Sequence, residues 1–290
     1  MKSSVKAFAK INLSLDLVSR RENGYHNILS VMQSVSLHDV VTVEYTEGSN
    51  TQIEVTCSSG AIPQDQTNLG YKAAAIYPFA KGRINVHIEK NIPVSAGLAG
   101  GSADAAAVLL ALNELCGNPM TLKELKDLGA TIGADVPFCI ECGTCLVEGI
   151  GEIMSDFAPM PNYPIVIAKK GEGMSTPAAY KMLDVKYDDF TSYEPHRNKL
   201  ESLIWCTSQD IEDYCHGIYN LFEEVVEPLR PHVTELKQIM MDCGATIAVM
   251  SGSGTSVFGI FQNEDLANAA ASRLLALGAD AHVCYPCGKR

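Results

Sequence analysis

The sequence predicts a mixed α/β chain, α+β in layout, folded as two domains. Three observations carry that expectation. The chain has 290 residues, which suits two domains or one large one at roughly 100–200 residues per domain. Strand-like and helical runs are interspersed along its length, the pattern of layered α/β or α+β proteins. Residues 156–164, Asp-Phe-Ala-Pro-Met-Pro-Asn-Tyr-Pro, hold three prolines and read as the linker. The expected domains are therefore 1–157 and 158–290. With 47% hydrophobic and 19% charged residues, wholesale disorder and coiled coil are excluded.

The elements follow in order. Phe8–Leu15 is strand-like, with Lys10 and Asn12 on one face. Val40–Tyr45 and Ile84–Glu89 are strands. The run from Thr67 is a helix opened by a polar cap. Ala103–Leu115 is a helix rich in Ala and Leu, apolar nearly all round and so buried; Gly117 and Pro119 stop it. Thr121 and Glu124 form a capping box for the next helix. Val136–Val147 reads as two strands around a turn at Glu141–Thr144. Beyond the linker come a strand at Ile165–Ala168 and a helix start at Ser175-Thr176-Pro177, with Pro at the first helical position. Residues 209–241 are mostly helical. Strands Ile247–Met250 and Val257–Phe261 flank Ser251–Ser256. An amphipathic helix, Glu264–Leu277, is closed by Gly278 and followed by a strand at 281–285. No repeat or low-complexity segment interrupts this order.

Charge and cysteines narrow the class. Lys and Arg number 22 against 34 Asp and Glu, a net −12, which suits no general nucleic-acid binder. Such a charge favours solubility and leaves room for a local anion site built from backbone amides. The start lacks a signal-peptide apolar region, and no run approaches the ~20 apolar residues of a membrane span, so a soluble cytoplasmic protein is expected. Ten cysteines stand at 57, 116, 139, 142, 145, 206, 215, 243, 284 and 287. Without a secretory signal they are not expected to form a disulfide framework. Cys139, Cys142 and Cys145 have part of an iron–sulfur spacing but lack the fourth Cys and the Pro, and read better as small hydrophobes. Cys284 and Cys287 complete such a site only if the fold brings them there; no metal site is expected.

The sharpest chemical feature is Pro93–Asp104, a Gly-rich loop running into a helix N-terminus. Free amides and the helix dipole favour phosphate there. A tight turn is the plainer reading, but four small residues in a row (Ala99, Gly100, Gly101, Ser102) exceed what a turn needs. The loop is neither a Walker A sequence nor a dinucleotide fingerprint: its spacing is wrong, and no β-α-β unit is read ahead of it. Ser251–Thr255 is a second Gly-rich loop; alone a hairpin turn explains it, but with the first it suggests two loops around one polyphosphate. Asp135, before Val136-Pro137, is on spacing alone a turn aspartate. Lys10 in an apolar strand must reach water, a carboxylate or a ligand. A Lys beside an Asp suits phosphoryl transfer to a hydroxyl, the cation keeping the Asp charged and the Asp accepting the proton. Tyr25-His26, after Arg20-Arg21, can stack on and hydrogen-bond a planar ring, or be a loop Tyr and a surface His.

Taken together, Lys10–Leu15, Pro93–Asp104 and Met250–Thr255 resemble the signatures of the GHMP small-molecule kinases. Within that superfamily the chain is similar to the 4-diphosphocytidyl-2-C-methyl-D-erythritol kinases, through Ala9–Leu13, Arg20–His26, Gly133–Phe138, Glu148–Glu152 and Ser175–Pro177. The resemblance covers nearly the whole chain, and Arg-Arg-x-x-Gly-Tyr-His is its most specific part. It implies ATP- and magnesium-dependent phosphorylation of the 2-hydroxyl of the methylerythritol portion. It implies Asp135 as catalytic base with Lys10 as partner, and Asn12 orienting the substrate. The ATP phosphates would lie along Pro93, Val94, Ser95, Ala96, Gly97, Leu98, Ala99, Gly100, Gly101, Ser102 and Ala103, with Asn68 near the adenosine. Tyr25 and His26 would meet cytosine, Tyr180 its other face, with Ser175 and Thr176 also on the substrate. Gly252, Ser253 and Gly254 would support the site from the second domain.

The implied fold is the two-domain GHMP kinase fold. Its N-terminal domain is like ribosomal protein S5 domain 2, with a left-handed βαβ crossover against the usual rule; its C-terminal domain is ferredoxin-like. The implied partner is a small molecule bearing a cytidine diphosphate group, with no nucleic acid and no membrane, on a monomer or weak homodimer. A related kinase for mevalonate, homoserine or a sugar has no use for Tyr25-His26. A non-catalytic binder has no use for Lys10 and Asp135.

Overall fold

The computed structural model describes residues 1–60, 62–190, 193–204 and 210–290. The first half contains β1 (Lys2–Arg20), β2 (His26–Glu47), β3 (Gln52–Cys57), α1 (Leu69–Ile76), β4 (Gly82–Glu89), α2 (Gly100–Leu115), α3 (Leu122–Ala130), α4 (Val136–Glu141), β5 (Thr144–Gly149) and β6 (Ile153–Asp156). The second contains β7 (Ile165–Lys169), α5 (Thr176–Lys186), α6 (Arg197–Ile204), α7 (Ile211–Cys215), β8 (Tyr219–Asn220), α8 (Glu223–Val226), α9 (Pro231–Asp242), β9 (Ala245–Met250), β10 (Val257–Phe261), α10 (Glu264–Ala276) and β11 (Asp280–Cys284).

A seven-stranded sheet runs β3-β4-β2-β1-β8, with β5 added to β2 and β6 to β5. β1 and β2 form a long antiparallel hairpin whose register shifts between Phe8 and Lys10 and again between Asn12 and Ser14. Such irregularities re-aim side chains, and here they bracket Lys10 and Asn12. α2 packs on β1, β2, α1 and α4. Its Ala-rich surface lets neighbours close on every side, and Ala103–Leu109 are all buried. Thr121 and Glu124 cap α3 reciprocally, as their spacing requires.

The second sheet runs β11-β7-β10-β9, antiparallel throughout. Numbered within the unit this is strand order 4-1-3-2, ferredoxin-like, with α9 and α10 as its helices. The Pro-rich stretch lies between the two sheets in sequence, yet later segments return to the first. β8 pairs in parallel with β1 at Ser14 and Leu15. The tail bridges Pro286 to Val35 and Lys289 to Cys142.

Three local expectations need correction. Val136–Glu141 is a helix and not a strand. A short apolar run is ambiguous by periodicity, and Pro137 in the first turn suits a helix start. β3 and β4 are parallel and flank α1, so a β-α-β unit does precede the Gly-rich loop. The stretch 210–241 is mostly helical as expected, with the short β8 set into it; residue 209 lies outside the described residues. Pro177 takes the second position of α5.

Cys139, Cys142 and Cys145 sit in the core. Burial pushes the Cys145 thiol up to about 11 and that of Cys284 up to about 12. Cys206 lies outside the described residues. No helix among the described residues is long and apolar enough to cross a membrane.

Candidate active site

A cleft of about 520 Å³ opens where the two sheets' loops meet. Lys10 and Asn12 line it from β1, residues 93–102 from the β4–α2 loop, Asp135 from the start of α4, Thr176 and Tyr180 from α5, and Gly252 and Ser253 from the β9–β10 turn. The size is in the range of small-molecule sites.

The first glycine loop is held by its carbonyls. Val94 O accepts from Lys169 Nζ at 2.8 Å, and Ala96 O from the Ser256 amide at 3.2 Å. Gly97 O accepts from Ser251 Oγ at 3.1 Å, and Leu98 O from the Lys10 amide at 3.2 Å. Ser95 (φ 53°) and Ala99 (φ 57°) take the left-handed conformation, which small residues tolerate best. α2 then starts with no side-chain cap, its first bond running from the Ala103 amide to Ala99 O at 2.9 Å. Gly100, Gly101 and Ser102 line the cleft and have no intrahelical partner for their amides. Orphan amides and the positive helix end are what a phosphate requires.

The second loop is both a hairpin turn and a wall of the cleft. A Cβ on Gly97 would stand 2.2 Å from Ser251 O, and one on Gly252 would stand 2.9 Å from Gly97 O. Only glycine lets these two backbones meet.

Lys10 is 5% exposed, and its Nζ donates to Asn12 Oδ1 at 2.6 Å. Asn12 Nδ2 donates to Ser30 Oγ at 2.8 Å, and that hydroxyl to Ser14 O at 2.6 Å. The ammonium is thereby oriented within a buried polar chain. Asp135 is half-buried at the N-cap position of α4, yet makes no capping bond. Its carboxylate is thus not committed to its own helix. Lys10 and Asp135 share the cleft without a direct ion pair. Burial, and next the Asp135 charge, push the Tyr180 hydroxyl up to about 12.

Residues 68–143 match the model of the GHMP kinases N terminal domain, and residues 206–280 that of the GHMP kinases C terminal. The chain is 43% identical over 274 residues to the 4-diphosphocytidyl-2-C-methyl-D-erythritol kinase of Caldicellulosiruptor bescii, covering 93% of each. The chain belongs to this family of GHMP kinases. A crystal structure of 4-(cytidine 5'-diphospho)-2C-methyl-D-erythritol kinase matches with a TM-score of 0.78 and 30% identity, over 99% of this chain and 100% of that one. The homoserine kinase of Cytophaga hutchinsonii matches with a TM-score of 0.73 at 18% identity, over 100% and 96%, which shows the shared fold. The chain is an ATP-dependent small-molecule kinase with the two-domain GHMP fold.

The kinase has a buried charge cluster that the sequence reading missed. Lys90 lines the cleft, and its Nζ bonds Asp39 Oδ2 and, at 3.1 Å, Asp104 Oδ2. Asp39 Oδ1 also accepts from the amides of Asn91 (2.5 Å) and Ile92 (2.8 Å), fixing the exit of β4. Burial, opposed by Lys90 and reinforced by Asp39, pushes the Asp104 carboxyl up to about 7. Its Oδ1 is buried without a partner.

Other expected site residues are placed differently. Asn68 caps α1: Oδ1 accepts from the Gly70 amide at 2.7 Å, and Nδ2 donates to Pro63 O at 2.7 Å. Its side chain is outside the cleft lining, which its neighbour Leu69 joins. Ala103 is buried in α2, and Gly254 and Ser175 lie outside the lining. Thr176 Oγ1 and Ser253 Oγ bond at 2.7 Å. His26 is buried, not a surface histidine, and lies outside the lining; its ring stacks directly on Tyr180 (centroids 4.9 Å apart), which corrects the expectation of a base held between the two, and Nε2 bonds Asp184 Oδ1 at 2.6 Å. Tyr25, 61% exposed, projects from the β1–β2 turn beyond the cleft lining.

Proposed function

We propose that this cleft transfers the terminal phosphoryl group of ATP to the 2-hydroxyl of 4-diphosphocytidyl-2-C-methyl-D-erythritol, giving the 2-phosphate and ADP. The reaction is a step of non-mevalonate isoprenoid biosynthesis. The observation that carries the reading is the loop whose four carbonyls are taken up by protein donors while uncapped helix amides line the same cleft as Lys10 and Asp135.

Phosphoryl transfer asks the protein mainly to position groups and to stabilise spread negative charge. The α2 amides take the phosphates, and Lys10, oriented by Asn12, stands beside the reacting hydroxyl. Asp135 accepts the hydroxyl proton as the oxygen attacks phosphorus, and the electron pair of the broken bond leaves on the ADP oxygen. Asn68 acts through α1, setting Leu69 against the nucleoside end. Tyr180, backed by the stacked His26 ring, forms the wall for cytosine, and the exposed Tyr25 ring closes over it; Thr176 holds the same end of the substrate, with Ser175 behind it setting the start of α5.

Magnesium accompanies ATP in this reading. Among the described residues no group of three or more His, Cys, Asp or Glu forms a metal cage. That suits an ion that keeps waters and substrate phosphates and needs only one or two protein oxygens. Ser102 would hold it beside the phosphates, and it would neutralise phosphate charge there.

The test is phosphorus NMR of the kinase with ATP, magnesium and the cytidyl compound. A new phosphate monoester on the methylerythritol portion, formed with ADP, supports the reading. Cleavage of the diphosphate, or release of inorganic phosphate alone, overturns it.

A further inference from the structure

Asp16 is a fully buried carboxylate outside the cleft lining, and the mechanism above does not use it. It receives four donors. Oδ1 accepts from the Leu17 amide at 2.8 Å and from the Tyr193 hydroxyl. Oδ2 accepts from the His196 amide at 2.7 Å and from the Tyr219 hydroxyl at 2.7 Å. The His196 ring lies further off, with Nδ1 3.8 Å from Oδ2. An unpaired buried carboxylate is costly, so this set of donors is what makes its burial tolerable.

The donors fall into two groups. Tyr219 lies on β8, which pairs with β1 beside Asp16, so its bond stays within the sheet. Tyr193 and His196 belong to the connection between α5 and α6. That connection carries Phe190, whose ring meets the His26 ring edge-on at 5.2 Å and the Tyr193 ring at 5.3 Å. Burial, and next the bond to Asp16, push the Tyr193 and Tyr219 hydroxyls up, so both remain donors at neutral pH.

We propose that Asp16 is a positioning residue for substrate selectivity: it holds Tyr193 and His196 in place, and the Tyr193 ring sets Phe190 as a brace on His26. A ring contact alone is weakly directional, whereas a hydrogen bond to a buried carboxylate fixes both distance and angle. The inference rests on the cytidine reading of His26.

The experiment compares Tyr193→Phe with Tyr219→Phe, two variants that each delete one hydroxyl from the same carboxylate. Tyr193→Phe should raise KM for the cytidyl compound about tenfold, the scale of one hydrogen bond to a charged group, and leave KM for ATP unchanged. Tyr219→Phe should leave both unchanged. Phe190→Ala, at a half-buried ring, should reproduce the selective shift, and the double variant Tyr193→Phe/Phe190→Ala should add nothing further. Equal shifts for Tyr193→Phe and Tyr219→Phe, parallel changes in both KM values, or additive effects in the double variant overturn the inference. No wild-type turnover of the cytidyl compound overturns the reading of the reaction, and this inference with it. Wild-type turnover with unshifted Tyr193→Phe and Phe190→Ala overturns the inference alone.

Discussion

The Ser251 hydroxyl donates to the Gly97 carbonyl at 3.1 Å and accepts from the Asn12 amide at 3.3 Å. One buried side chain from the β9–β10 turn thus joins the first glycine loop to the strand that carries Lys10. Ser251→Ala leaves the Gly97 carbonyl without its donor. It should raise KM for ATP about three- to tenfold, the scale of one hydrogen bond, with little change in melting temperature. Steady-state kinetics and a thermal melt check this, and an unchanged KM for ATP would count against the loop-tethering role.

Asp135→Asn keeps the shape of the side chain and removes its capacity to accept a proton. Turnover should fall by about 10²–10⁴-fold, the usual worth of a positioned general base. Nucleotide affinity, measured by calorimetry with a non-hydrolysable ATP analogue, should stay within a few-fold of wild type. Wild-type turnover in this variant would remove Asp135 from the chemistry.

The Asp104 carboxyl sets a pH dependence of stability. Its folded value is about 7 against 3.8 for the free side chain, so between those values the native chain binds a proton that the unfolded chain has released. Its contribution to stability therefore falls as the pH rises from about 4 to about 7, and is level above that. Asp104→Asn removes this titration while keeping an acceptor for Lys90. Melting temperatures at pH 5, 6, 7 and 8 should decline less steeply in the variant, and parallel wild-type and variant curves would contradict the assignment.

Thiolate, not thiol, is the reactive form of cysteine, and burial suppresses it at Cys139, Cys145 and Cys284. These three should resist iodoacetamide at pH 7 in the folded protein and react once it is unfolded in guanidinium. Peptide mass mapping distinguishes the two states. Rapid labelling of native Cys139 would show that its site is open to solvent.

Legibility in the sequence followed range. The glycine loop at the start of α2 was readable because Gly97, Gly100 and Gly101 stand next to the helix they serve. The Thr121–Glu124 capping box was readable for the same reason. α4 was not, since six residues are too few to separate a helical from a strand period. Asp135 read as a turn residue because only the fold shows that its carboxylate makes no cap bond and lines the cleft. The Asp39–Lys90–Asp104 cluster was invisible because its members come from β2, the β4–α2 loop and α2. The His26–Tyr180 stack joins opposite halves of the chain, so no local pattern could announce it.

The most direct test of the central claim is the specificity of ATP consumption. With magnesium present, kcat/KM is measured for 4-diphosphocytidyl-2-C-methyl-D-erythritol, mevalonate, homoserine and galactose side by side. Turnover confined to the cytidyl compound is the predicted result. Comparable or greater turnover of any of the other three alcohols would contradict it.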